Sequence, residues 1–184
     1  MDIKTAIIQR RTIRRFLPKP IEEQVLLDII ALSRLYASGG NLQPIRFTIV
    51  TERSLLDSVF DTLRWAAYLP DFVISDDQRP MAYIVLTSDK SNCQFDLGAA
   101  ATTLMLAAEG VGLGTCCLGS FDRNKLTEIL PLRQGQEPLL VVALGYPAQN
   151  SKTVDYSGDV KYYEDAGGCL CVPKRTLDDL VTVC

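Results

Sequence analysis

The sequence predicts an α+β domain in which a mixed central sheet is flanked by helices on both faces. Three observations predict it. Apolar residues recur at helical spacing in several separated stretches, short β-branched runs lie between them, and no repeat or low-complexity block breaks the order. The 184 residues are enough for one domain with a full core, so a single domain over 1–184 is expected.

The elements follow in chain order. Ile3, Ala6 and Ile7 give a short amphipathic helix that ends at a cluster of arginines. Pro20 to Leu35 reads as the next helix: a proline near the first turn, Glu22 and Glu23 at its positive end, then Val25, Leu26, Ile29, Ile30 and Leu32 at helical spacing. Residues 37–44 (ASGGNLQP) break it with loop chemistry. Phe47 to Thr51 and Met81 to Thr87 are β-branched strands, and Leu55 to Leu69 between them is helical, stopping before Pro70. Phe95 to Gly110 is a buried helix kept thin by Ala99, Ala100, Ala101, Ala107 and Ala108. Thr115 to Leu118 is a short apolar strand. Asp122 caps a helix that runs to Leu130, and Leu139 to Gly145 is a buried strand. Residues 147–184 read as an irregular polar tail with a short amphipathic end from Leu177, expected to pack on a partner subunit.

Composition removes several classes of function. With 19 basic against 22 acidic residues the net charge is −3, which argues against a nucleic-acid partner. No apolar run approaches the roughly 18 residues that span a bilayer, so no membrane partner is expected. Met1-Asp2-Ile3-Lys4 lacks the apolar core of a secretory signal, and a cytoplasmic location is the expectation. There is no histidine, which excludes Ser-His and Cys-His nucleophile pairs and histidine metal sites. An enzyme built on this chain therefore relies on a cofactor for its chemistry. The six cysteines form no Cys-x-x-Cys pair. Cys116-Cys117 lies in an apolar run and reads as packing, whereas Cys169-x-Cys171 sits in a Gly-rich loop and is either inert, redox-active or metal-binding.

Arg10-Arg11-Thr12-Ile13-Arg14-Arg15 places four guanidinium groups in six positions. Arginine recognises phosphate bidentately, and Thr12 adds a neutral donor. The bland alternative is a basic surface that complements a helix C-terminus. Three further stretches bear on the choice: Ser38-Gly39-Gly40-Asn41-Leu42-Gln43-Pro44, Gly112-Leu113-Gly114 running to Leu118-Gly119-Ser120, and Val172-Pro173-Lys174-Arg175.

In order and spacing these four stretches resemble the nitroreductase family of FMN-dependent oxidoreductases, over essentially the whole chain. Trp65-Ala66-Ala67-Tyr68-Leu69 and Arg79-Pro80-Met81-Ala82-Tyr83 resemble a compact subgroup of it. The resemblance implies a nitroreductase-like fold, FMN as cofactor, NAD(P)H as electron donor and a homodimer. It implies that Arg10, Arg11, Thr12 and Arg14 bind the flavin phosphate and ring, with Arg14 at the N1 edge. Ser38, Gly39, Asn41 and Gln43 would lie against the flavin from the other subunit. Leu118, Gly119 and Ser120 would present backbone N–H groups of Gly119 and Ser120 near flavin N5, and Lys174 and Arg175 would close on the phosphate. Hydride passes through N5, so no catalytic side chain and no metal are implied.

The chain departs from the family pattern at three positions. Ala37 and Ile45 stand where the second motif carries proline and tryptophan, and Cys171 stands where members often have histidine. The activity expected is hydride transfer from NAD(P)H to a small electron-poor acceptor such as a nitroaromatic or quinone. The alternatives are another chemistry on the same fold (reductive dehalogenation, heterocycle dehydrogenation or flavin fragmentation) or a flavin-binding redox sensor.

Overall fold

Strands β1 (Arg46–Val50), β2 (Ala82–Ser88), β3 (Gly114–Leu118) and β4 (Glu137–Gly145) make the central sheet of the computed structural model, which describes residues 1–184. Their order is β1-β2-β4-β3, every pair of strands antiparallel. The parallel member that makes the sheet mixed is a single bridge, Thr12 to Thr115 at the edge strand β3. All residues of β2 are buried, which explains its continuous apolar run. Alternation along β2 and β4 sends Ile84, Leu86, Val142 and Leu144 to one core and Tyr83, Val85, Val141 and Ala143 to the other.

Helices cover both faces. α2 (Glu23–Ser33) and α4 (Gln94–Gly110) cover the first core, where Leu26, Ile29, Ala100, Ala101, Leu104 and Ala108 are buried. The small side chains of α4 let it sit close to the sheet. α3 (Arg53–Thr62) and α5 (Arg123–Ile129) cover the second core through Leu56, Val59 and Leu126. α1 (Ile3–Gln9) packs on α4. Asp2 caps α1 by accepting from the Thr5 N–H at 2.8 Å, and Asp122 caps α5 by accepting from the Lys125 N–H at 3.1 Å.

Two expected elements differ from those observed. The helix expected to reach Leu69 ends at Thr62, because Leu63 becomes extended and bridges Phe121 while the Arg64 N–H donates to the Ser120 carbonyl at 3.0 Å. Tertiary pairing there overrides local helical spacing. The tail expected to be irregular contains a three-stranded sheet of β5 (Ser151–Asp155), β6 (Tyr163–Glu164) and β7 (Leu170–Lys174), ordered β5-β7-β6, followed by α6 (Leu177–Leu180). Only Leu170 and Cys171 of these strands are buried, so the outer strands carry a polar pattern that hides them in the sequence. Between β6 and β7 the chain turns on Asp165, whose Oδ1 accepts from the Gly167 and Cys169 N–H groups at 3.0 Å each.

Candidate functional site

The arginine segment leaves α1 and runs along the edge of β3. The Ile13 N–H donates to the Thr115 carbonyl at 2.9 Å, the Phe16 N–H to Gln78 at 3.0 Å and the Leu17 N–H to Tyr146 at 2.8 Å. Two glycines that face each other in the β3–β4 register, Gly114 and Gly145, make room for it. A Cβ on Gly114 would lie 2.8 Å from Ile13, and one on Gly145 would lie 2.7 Å from Phe16. Ile13 and Phe16 are buried against the sheet, and Arg14 and Arg15 are fixed between them.

The four arginines have different fates. Arg11 donates to the carbonyls of Ile8 and Arg10 at the end of α1. Burial and the neighbouring Arg10 charge lower its pKa. In this chain its guanidinium thus lies on the helix C-terminus. Arg15 pairs with Glu164 and stacks on Phe72, its Cζ 4.4 Å from the ring centroid. Arg10 reaches Met105 Sδ at 3.9 Å and makes no ion pair, although the Glu109 carboxylate is near enough to feel its charge. Arg14 is 9 % exposed, and its Nε and Nη1 are buried without a hydrogen-bond partner. Its backbone N–H donates to Gln149 Oε1 at 3.1 Å, and its Cζ lies 4.4 Å from the Tyr162 ring centroid.

Thr12 is half-buried at the bridge to Thr115, and β3 continues from there to Leu118, Gly119 and Ser120. Leu118 is buried, whereas Gly119 and Ser120 are exposed, and a Cβ on Gly119 would meet nothing within 4 Å. Neither the Gly119 nor the Ser120 N–H finds an acceptor among the loop and turn hydrogen bonds. The arrangement is one edge of the sheet bearing Arg10, Thr12, Arg14 and two open amides.

The Ser38–Gln43 turn stands apart from that edge within one chain. Ser38, Gly39, Asn41 and Gln43 form a tight turn bonded to itself: Ser38 Oγ accepts from the Gln43 N–H at 3.2 Å, and Gln43 Nε2 donates to Asn41 Oδ1 at 3.2 Å. Gly40, Asn41 and Gln43 all have φ between 47° and 56°, left-handed positions on either side of the right-handed Leu42. The Gly39 N–H is anchored to Asp96 Oδ1 at 3.1 Å, near the start of α4. Arg10 contacts Met105 on the same helix, nine residues further on, which is about 13 Å along its axis at 1.5 Å per residue. Lys174 and Arg175 are exposed at the end of β7 without an ion pair; Arg175 stacks on Tyr156, its Cζ 4.6 Å from the ring centroid.

Of the departures, Ile45 is 4 % exposed in the core beside Tyr36, so losing the tryptophan does not open a pocket wall. All six cysteines are free. Burial pushes the Cys116 thiol up to about 11 and the Cys117 thiol up to about 12, which fits the packing reading. No cluster of three or more metal-ligating side chains forms. No helix is long and apolar enough to cross a membrane. Sequence reading missed Gln149, Tyr162 and Glu164. They meet the arginine segment 135 to 149 residues away in the chain, and nothing local marks them.

A model of the nitroreductase family matches residues 7–71 and 71–146. A Thermus thermophilus protein named NADH dehydrogenase is 28% identical over 181 residues, covering 81% of this chain and 88% of its own. A Pseudomonas putida 4-nitrobenzoate reductase is 27% identical, covering 82% of this chain and 87% of its own. The crystal structure of a nitroreductase family protein from Clostridium novyi superposes with a TM-score of 0.68 at 21% identity, covering 80% of this chain and 87% of that one. A structure from Parabacteroides distasonis reaches a TM-score of 0.70 at 26% identity over 90% of this chain and 98% of that one. The arginine segment, the Ser38–Gln43 turn and the β3 edge all fall inside the matched residues, and the chain belongs to the nitroreductase family.

Proposed function

We propose that this chain is an FMN-dependent oxidoreductase that takes reducing equivalents from NAD(P)H and reduces a small electron-poor acceptor of nitroaromatic or quinone type. Arg14 carries the reading. A buried guanidinium with two unpartnered nitrogens is costly, because each unpaired donor forfeits its hydration. A ligand bearing carbonyl acceptors relieves that cost, and the N1–C2=O edge of a flavin has them. The two open amides at Gly119 and Ser120 suit the N5 end, and Arg10, Thr12, Lys174 and Arg175 supply charge and a hydroxyl for the phosphate. The residues present therefore fit FMN. The chemistry that this cofactor supplies when bound is hydride transfer at N5. The chain's own part is to bind it, to place a cation at its N1 edge and to offer a backbone donor opposite its reacting atom.

A homodimer is part of the same proposal. Ile3, Ile7 and Phe95 are 73%, 56% and 72% exposed on α1 and α4, which pack together. Exposed apolar side chains on two helices that pack together suit a subunit interface. A second copy seated there would supply the Ser38–Gln43 turn that one chain keeps apart from its own arginine edge.

The test is the cofactor content of the purified protein, followed by anaerobic titration with NADH and NADPH. About one FMN per chain, bleached by either nucleotide and reoxidised by 4-nitrobenzoate or a quinone, is the expected result. Protein that takes up no FMN when it is supplied refutes the reading. Protein that is reduced but reoxidised by none of these acceptors moves the assignment to another chemistry on the same cofactor. Light scattering after gel filtration should give twice the 20.3 kDa chain mass.

A further inference from the structure

We propose that Tyr162, carried on the hairpin of β6 and β7, forms with Tyr68 an aromatic platform that binds flat aromatic acceptors beside Arg14. The proposal rests on the cofactor reading above and assigns its acceptor site. Tyr162 stacks on the Arg14 guanidinium at 4.4 Å, and its ring centroid is 5.0 Å from that of Tyr68 at an interplanar angle of 54°. Tyr162 is half-buried and Tyr68 is 48 % exposed, so the pair offers ring surface to a ligand.

The pair borders the donor edge at Arg14. Arg14 lies against Tyr162, while the segment carrying Tyr68 is tied to Ser120 by the Arg64 N–H at 3.0 Å. An acceptor lying on these rings is thus held beside the guanidinium that the cofactor reading places at the flavin N1 edge. Tyrosine faces are electron-rich, and an electron-poor ring such as a nitroarene or quinone stacks on them favourably. The hairpin is fixed in place. Glu164 accepts from Arg15 and from Gln149 Nε2, and Gln149 accepts from the Arg14 N–H at 3.1 Å. Tyr162 lies outside residues 7–146, so this contribution comes from the part of the chain that the family model does not match.

The experiment compares Tyr162→Ala, Tyr162→Phe and Tyr68→Ala with the unsubstituted protein, all loaded with FMN. Equilibrium binding of benzoate, a flat aromatic that is not reduced, is read from the flavin visible spectrum. Steady-state reduction is measured with 4-nitrobenzoate and with ferricyanide, which has no ring to stack. Tyr162→Ala should keep its flavin, bind benzoate about five- to tenfold more weakly and raise KM for 4-nitrobenzoate by a similar factor. Its ferricyanide rate should not change, and Tyr162→Phe should behave like the parent. Tyr68→Ala should weaken binding too, and the double variant should fall short of the product of the two effects.

Unchanged benzoate affinity in Tyr162→Ala overturns the proposal. So does loss of flavin from that variant, which makes Tyr162 a cofactor support. Slower reduction by NAD(P)H with benzoate binding intact also overturns it, because the platform then serves the nicotinamide. Failure of the unsubstituted protein to hold FMN is a separate result and refutes the cofactor reading itself.

Discussion

Replacing Gly145 by alanine tests how the arginine edge is seated. The added Cβ would lie 2.7 to 2.8 Å from Cδ1, Cβ and Cγ of Phe16. Phe16 is fully buried, and two of these three atoms sit at the root of its side chain, so rotation alone cannot clear the clash. Backbone shifts of this kind in a packed core cost about 1–3 kcal/mol. For a domain of this size each kcal/mol lowers the melting temperature by about 2–4 °C, so a fall of roughly 2–12 °C is expected. Arg14 lies two residues before Phe16, so FMN affinity should fall in the same variant. Thermal unfolding by circular dichroism and flavin-fluorescence titration read the two effects. Gly110→Ala is the control: its Cβ meets nothing within 4 Å, and alanine is the better helix former by about 1 kcal/mol. Phe16→Leu in the Gly145→Ala background should recover part of the loss. If Gly145→Ala melts with the parent and binds FMN equally well, the arginine segment does not rest on this glycine.

Arg14→Gln should weaken FMN binding roughly tenfold or more, the value of one lost charge-assisted hydrogen bond at about 1.5–3 kcal/mol, while Arg11→Gln should leave it unchanged; titration of flavin fluorescence decides. A maleimide at pH 8 should label the exposed Cys184 and spare Cys116 and Cys117 until the protein is denatured, as mass spectrometry of digests would show. Those two thiols also set an alkaline limit. Their folded values of about 11 and about 12 stand above the ordinary 9.0, so the folded state holds more protons than the unfolded chain from pH 9 upward. Stability should be level below pH 9 and fall as pH rises toward 11, measured by urea unfolding; a flat profile across that window contradicts the burial of both thiols.

Most of the fold was legible because it rests on local patterns. The run Ala82–Ser88 is apolar throughout because both of its faces are covered, and the alanines of α4 mark a helix that lies close to the sheet. The misreadings have long-range causes. Residues 63–69 keep apolar spacing suited to a helix, yet Leu63 pairs with Phe121, and that bond ends α3 at Thr62. In the tail, β5 and β6 each lie on only one neighbour, β7, with solvent on their other side. Their sequences are accordingly polar, and only Leu170 and Cys171 between them look like a core.

The site was legible as a set of residue types and illegible as a set of roles. Arg10, Arg11, Arg14 and Arg15 have the same charge and adjoin one another in the sequence, so nothing there ranks them. Their neighbours do. Arg11 has helix carbonyls within reach, and Arg15 has Glu164. Arg14 meets only the face of Tyr162 and the buried edge of β3, where no oxygen answers its Nε or Nη1. A guanidinium satisfied by the protein has little to offer a ligand. The one that folding buries and leaves unpaired keeps its full hydrogen-bonding capacity for an incoming carbonyl. Gly114 and Gly145 make that possible, because the absence of two side chains lets the arginine segment lie flat against the sheet. The fold thus sets one of the four arginines apart by withholding partners from it, and residues 100 or more positions away do so.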